Sequence, residues 1–115
     1  MPEALTKETC GPCHGEGTVL SEAEIAALMA ELPGWEVAPE GKAITRRYTF
    51  KDFLGALAYV NHIGALAEGE GHHPDLTLGW GYVGVSLTTH HFSALTRNDF
   101  ILAAKIEAEI SGQLP

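Results

Sequence analysis

Basic residues are scarce: 7 Lys and Arg stand against 15 Asp and Glu in 115 residues, a formal charge of −8 at neutral pH. Such a surface repels polyanions, which excludes a protein built to coat nucleic acid or an anionic membrane and leaves small-molecule chemistry or protein partners. No apolar run approaches the roughly 18 residues of a spanning helix, and the opening residues MPEALTKETC hold no stretch like the apolar centre of a signal peptide. The expected location is therefore the cytoplasm, with no membrane partner. Internal repeats and low-complexity tracts are also missing, which excludes solenoid and fibrous architectures. What is present, 45% hydrophobic residues at this length, describes one small globular domain. A core of that size folds without disulfides but leaves little spare stability, so oligomerisation is a natural supplement.

Only two cysteines occur, both in Cys10-Gly11-Pro12-Cys13-His14. The pattern matches a thioredoxin-type dithiol, a c-type haem attachment and half of a zinc site. Haem attachment of this kind goes with export, and tetrahedral zinc lacks a fourth ligand because no third cysteine exists. A redox dithiol should open a helix, but Gly15-Glu16-Gly17 follows, which is poor helix material. Residues 1–20 accordingly read as a flexible, reduced tail, with an adventitious or regulatory metal or disulfide as the alternative. The domain proper is expected over residues 21–115.

Ser21-Glu22-Ala23-Glu24 is a capping box, and Ile25, Leu28, Met29 and Leu32 recur at helical spacing until Pro33-Gly34, which predicts a helix over about 21–32. Trp35 and Val37, a turn at Pro39 to Lys42, and Ile44, Arg46, Tyr48 and Phe50 on one face form a first hairpin. A second helix runs from Asp52 to about Glu68 with Phe53, Leu57, Val60, Gly64 and Ala67 as its inward stripe, ended by Gly69 and Gly71. The segment 74–89 alternates apolar and polar residues around a Gly-containing turn, a second hairpin. A type II′ turn at Gly81-Tyr82 sets Trp80 against Val83, Leu78 against Val85 and Leu76 against Leu87, and extends to put His73 opposite His90. Thr96-Arg97-Asn98-Asp99 starts a third helix reaching about Ser111. The order predicts an α+β fold: a four-stranded antiparallel sheet with three helices on one face. Strand order does not follow from periodicity.

Four of the six histidines, His72, His73, His90 and His91, flank the second hairpin. His72 and His73 stand where a helix becomes a strand and His90 where the paired strand ends, so the three converge on one rim of the sheet, a usual place for sites. His14, His62 and His91 read as surface or hydrogen-bonded structural residues.

These residues resemble the pterin-4a-carbinolamine dehydratases (4a-hydroxytetrahydrobiopterin dehydratases). The resemblance rests on Glu68 four residues before His72-His73-Pro74-Asp75, the strand Val83 to Thr89, Thr89-His90, and Ala94-Leu95-Thr96 leading to Asp99. It extends more weakly through Leu32-Pro33-Gly34-Trp35 and covers nearly all of residues 21–115. The resemblance implies removal of water from a 4a-hydroxytetrahydropterin, giving the quinonoid dihydropterin, in tetrahydrobiopterin recycling. It implies a pterin substrate, no cofactor and no metal, a homodimer or homotetramer, and coupling to an aromatic amino-acid hydroxylase. Such a dehydration needs a proton for the departing hydroxyl and a base for the neighbouring ring nitrogen, and imidazoles can do either near neutral pH. By the same resemblance His72 and His90 are acid/base candidates, in unassigned order, and His73 holds the substrate. Glu68 and Asp99 would orient imidazoles or accept from the pterin, and Pro74, Asp75 and Thr89 complete the implied binding set. Several members carry Trp where this chain has Leu76, so the implied pocket lacks that aromatic wall. Ala94 replaces a frequent Gly, a change expected to be harmless.

Two other readings compete. The histidines with Glu68 or Asp75 could ligate a transition metal in a hydrolase, although adjacent His72 and His73 diverge in an extended strand. Alternatively the chain is a non-catalytic pterin-binding or partner-assisting module, as the resemblance also covers a transcriptional coactivator of animals.

Overall fold

A computed structural model describes residues 5, 6 and 19–111. Among these, three helices and four strands follow in the order α1 (Glu22–Met29), β1 (Glu36–Val37), β2 (Ile44–Thr49), α2 (Phe53–Glu70), β3 (Asp75–Gly79), β4 (Tyr82–Leu87) and α3 (Arg97–Ser111). All strand pairings are antiparallel and the sheet order is β1-β2-β4-β3, so the second hairpin pairs with β2 through β4 and leaves β3 at an edge. The α+β architecture expected from the element order is the one found. The cysteine motif and His14 lie outside the described residues. Leu5, inside the segment read as an undocked tail, is 1% exposed and belongs to the core.

Local chemistry explains the helix starts. Ser21 Oγ accepts from the Glu24 N–H at 3.2 Å while Glu24 Oε1 accepts from the Ser21 N–H at 2.8 Å, both halves of the capping box. The backbone bond from Ser21, more than its hydroxyl, holds the Glu24 carboxyl below its usual value. Asp52 caps α2 by accepting from the Gly55 N–H at 2.8 Å. At the other end Gly71 takes a left-handed φ of 69°, and the N–H groups of Gly71 and His72 both reach the Ala67 carbonyl, at 2.9 and 3.3 Å. Gly69 lies within the helix.

The inward face of α2 is a correction. Ala56, Tyr59, Ile63 and Ala67 are buried, whereas Phe53 and Leu57, expected inside, are 44% and 36% exposed. No charged residue occurs between Asp52 and Glu68, so the helix is apolar nearly all round, and periodicity could not select among stripes one residue apart.

The register of the second hairpin is also corrected. Leu78 pairs with Val83 and Leu76 with Val85, and the two-residue turn is Trp80-Gly81, one residue before the expected one. Gly81 carries a φ of 79° at the third turn position, where a type II turn requires it, and Trp80 is left 70% exposed. The turn is tied down by the Phe50 N–H, which donates to the Gly81 carbonyl at 2.8 Å. Each strand residue thus meets a partner two positions from the expected one, which preserves the buried face because side chains alternate with period two. Val83, Val85 and Leu87 are accordingly buried. Continuing from Asp75 opposite Ser86 puts Thr88, not His90, across from His73.

Beneath the sheet, α3 closes the core with Phe100, Ile101, Leu102, Ala103, Ala104, Ile106 and Ile110. Its Glu107 Oε1 accepts from Tyr48 Oη at 2.6 Å and Trp35 Nε1 at 2.9 Å, and lies 3.0 Å from Arg46 Nη1. Tyr59 packs edge-on to Tyr48 with ring centroids 5.3 Å apart and donates to the Ile106 carbonyl at 3.0 Å. Burial first, and Glu107 second, raise the Tyr48 phenol above its ordinary value, and burial does the same to Tyr59.

Candidate active site

The reversal at Gly71 turns the chain so that consecutive histidines part company. His72 is 5% exposed and directed beneath the rim, while His73 remains on the surface with 58% of its side chain exposed. Pro74, half-buried, leads the chain into β3.

His72 meets a carboxylate that is itself fully buried. Its Nε2 lies 2.6 Å from Oδ1 of Asp99, in the first turn of α3. Oδ2 of Asp99 accepts from Thr89 Oγ1 at 2.9 Å and from the Thr96 N–H at 3.0 Å. The second bond is half of a capping box, so Asp99 caps the helix and holds the imidazole with its two oxygens separately. A carboxylate oxygen accepts, so the 2.6 Å His72–Asp99 contact is assigned to an Nε2–H donor. Burial of this group is tolerable because both oxygens are partnered.

Thr89 reaches Asp99 because the strand ends in a tight loop. The Thr89 N–H donates to the Ala94 carbonyl at 2.9 Å, the Ala94 N–H returns to Thr89 at 3.4 Å, and residues 90–93 bulge out between them. Ser93 absorbs the reversal with a φ of 50°, and Ala94 is not in the left-handed region, so the absence of Gly there costs nothing in backbone strain. His90 starts this loop, 67% exposed, with Nε2 3.9 Å from Asp75 Oδ2, an ion-pair separation rather than a hydrogen bond. His73 Nε2 is 2.8 Å from Oε2 of Glu68, at the end of α2.

Each of the three imidazoles therefore has its own carboxylate: Asp99 for His72, Glu68 for His73 and Asp75 for His90. One pair is buried and two are exposed, so the trio is not a set of equivalent groups. His62 lies on the exposed face of α2, and His91 packs edge-on against Phe92 with centroids 4.8 Å apart. Among the described residues, no three His, Cys, Asp or Glu side chains come together as metal ligands would, so the donor set does not fit a metal centre. Thr96, read from sequence only as a cap, is 2% exposed, and its Oγ1 lies 2.7 Å from Thr89 Oγ1. Its three-residue spacing to Asp99 was the visible signal. Two depressions lie apart from the trio. A cleft of about 500 Å³ on the outer sheet face reaches the rim only at Asp75, and a groove of about 830 Å³ separates α1 from β1.

Residues 18–109 match the family model described as pterin 4 alpha carbinolamine dehydratase. Relatives named provisionally as pterin-4-alpha-carbinolamine dehydratases include a protein of Cupriavidus pinatubonensis, 43% identical over 112 residues with 97% of each chain covered. Another, from Chlorobium limicola, is 49% identical over 103 residues, covering 88% of this chain and 91% of its own. Among solved structures, a transcriptional coactivator/pterin dehydratase of Brucella melitensis superposes with a TM-score of 0.74 at 33% identity, over 78% of this chain and 96% of that one. A pterin dehydratase-like RuBisCO assembly factor of the alpha-carboxysome shares the fold at a TM-score of 0.57 and 22% identity, over 67% and 89% of the two chains.

Proposed function

Because this chain belongs to the pterin 4 alpha carbinolamine dehydratase family, we propose that it removes water from a 4a-hydroxytetrahydropterin by histidine acid/base catalysis. The observation that carries this reading is the buried His72–Asp99 pair beside the exposed His73 and His90. A buried carboxylate that orients one ring, next to imidazoles open to solvent, suits a reaction in which protons enter and leave at different points.

In this reading the C4a–O bond of the substrate breaks as one imidazole protonates the departing hydroxyl, which leaves as water. A second imidazole takes the proton from the adjacent ring nitrogen, and the electron pair of that N–H bond forms the new C=N bond of the quinonoid dihydropterin. His72 and His90 carry the two transfers. His73, braced by Glu68, holds the pterin near C4a, and Pro74, Asp75 and Thr89 line or support the site. The leucine at position 76, half-buried on β3, supplies an aliphatic rather than an aromatic wall. No step requires a cofactor. The role is recycling of a reduced pterin in the cytoplasm, coupled to the aromatic amino-acid hydroxylase that produces the hydroxylated substrate. The catalytic domain is residues 21–115, with Leu5 of the preceding segment packed into its core.

The assay is direct: purified protein is added to enzymatically generated 4a-hydroxytetrahydropterin and its ultraviolet decay is followed, with and without chelator. Acceleration that survives the chelator supports the reading, and decay at the uncatalysed rate overturns it.

A second reading, self-association, draws on the outer face of α2, where Leu54 is 73% exposed beside Phe53 and Leu57. A contiguous apolar helix face on a small, acidic chain suits a subunit interface. We assign it to self-association as a homodimer or homotetramer, for which light scattering at micromolar concentration should report more than one chain per particle. A monomer would remove the assignment.

A further inference from the structure

The hydrogen bonds beneath the rim run two hydroxyls beyond Asp99. Thr89 has a single hydroxyl proton, and it is given to Asp99 Oδ2 at 2.9 Å. The 2.7 Å contact between Thr89 Oγ1 and Thr96 Oγ1 must then run the other way, with Thr96 donating. The chain of donors is Thr96 to Thr89 to Asp99, and Asp99 Oδ1 faces the Nε2–H of His72.

Thr96 is free to do this because its hydroxyl has left its ordinary post. A threonine before a helix usually accepts from the N–H three residues on. Here the Asp99 N–H goes instead to the Thr96 carbonyl at 3.1 Å, and the hydroxyl is turned toward Thr89. Thr89, Thr96 and Asp99 are 1%, 2% and 0% exposed, so each group has few alternative partners. In a low-dielectric setting such chains strengthen one another and resist reorientation.

We infer that Thr96 is a positioning residue: its hydroxyl sets the direction of the Thr89 hydroxyl, keeps Asp99 Oδ2 engaged, and so holds the His72 ring in one orientation with its proton on Nε2. The inference deepens the dehydratase reading and rests on it for its kinetic consequence, but the tautomer is a property of the protein alone. Thr96, only 2% exposed, acts through Thr89 and Asp99.

The test is Thr96→Val, which removes the hydroxyl at nearly constant shape and keeps the Thr96 N–H bond to Asp99. In ¹⁵N-labelled protein the native His72 ring should be protonated on Nε2, and a slowly exchanging Thr96 hydroxyl proton should be visible. Thr96→Val should let the ring average between tautomers and lower kcat about tenfold, one hydrogen bond's worth in the barrier, with KM little changed. Thr96→Ser should restore both. A native His72 protonated on Nδ1, a fast-exchanging Thr96 hydroxyl, or a Thr96→Val protein with unaltered ring signals would overturn the inference. The two native-protein measurements decide it even if the valine variant does not fold. Absence of turnover with the Nε2–H intact would count against the dehydratase reading and not against this one.

Discussion

Asp99→Asn separates the two tasks of the buried carboxylate. Asp99 accepts three hydrogen bonds while 0% exposed. Deleting it as alanine strands the Thr96 N–H, the Thr89 hydroxyl and the His72 Nε2–H. At about 1–3 kcal/mol for each buried donor left unmade, the loss totals about 3–9 kcal/mol, comparable with the whole stability of a small domain. Asparagine is the more informative change. Its carbonyl oxygen can replace Oδ2 for Thr89 and the Thr96 N–H, and its NH₂ group then faces His72 where an acceptor stood. The imidazole must present a lone pair at Nε2 and move its proton to Nδ1. Folding should suffer by about 1–2 kcal/mol, a fall in melting temperature of about 3–10 °C. Turnover should fall by about 10²–10⁴, because one imidazole now offers the wrong nitrogen in the wrong state. Circular-dichroism melts and the ultraviolet decay assay on the same preparation read the two effects. A variant that keeps kcat within about threefold while showing the expected melt would refute the assignment of Asp99 as the group that orients His72.

Three further outcomes follow from the packing. Gly34→Ala should cost about 2–4 kcal/mol in chemical denaturation: φ is +96°, and an added Cβ collides with the Arg46 guanidinium, which bonds the Pro33 carbonyl and Glu107. Tyr48 and Tyr59, raised above the ordinary phenol value of 10.0, should stay un-ionised in the folded protein as alkali is added. Their folded-state values are raised, so the stability they contribute is present below pH 10 and declines above it by about 1.4 kcal/mol per pH unit for each phenol; normal phenolate absorbance near pH 10 without unfolding would contradict this. Leu5→Ala should lower the denaturant midpoint by the equivalent of about 2–5 kcal/mol, since Leu5 is 1% exposed, while leaving kcat of the folded protein unchanged. An unaltered midpoint would mean that Leu5 contributes nothing to the core.

Much of the arrangement was legible because it depends on local rules. The capping box at Ser21 and the Thr96-to-Asp99 spacing located two helix starts, and alternation placed Val83, Val85 and Leu87 inside. The hairpin register was not legible, because registers two residues apart bury the same face, and Gly79 and Gly81 both offer turn positions. Choosing between them depends on what packs behind the turn, here the Phe50 N–H, just past the end of β2. The buried face of α2 was hidden for a related reason: an apolar circumference has no strongest stripe. His72, His73 and His90 stood out as a group, but their different exposures follow from the left-handed turn at Gly71 and the 90–93 loop. The Thr96–Thr89–Asp99 chain joins a strand end to a helix start, and no periodicity reports such a contact.

The most direct test of the account compares the native protein with His72→Ala and His90→Ala in the decay of 4a-hydroxytetrahydropterin. The native protein should accelerate water loss, each variant should be slower by about 10²–10⁴, and His73→Ala should chiefly raise KM. Near-normal turnover in both His72→Ala and His90→Ala would contradict acid/base catalysis by these imidazoles.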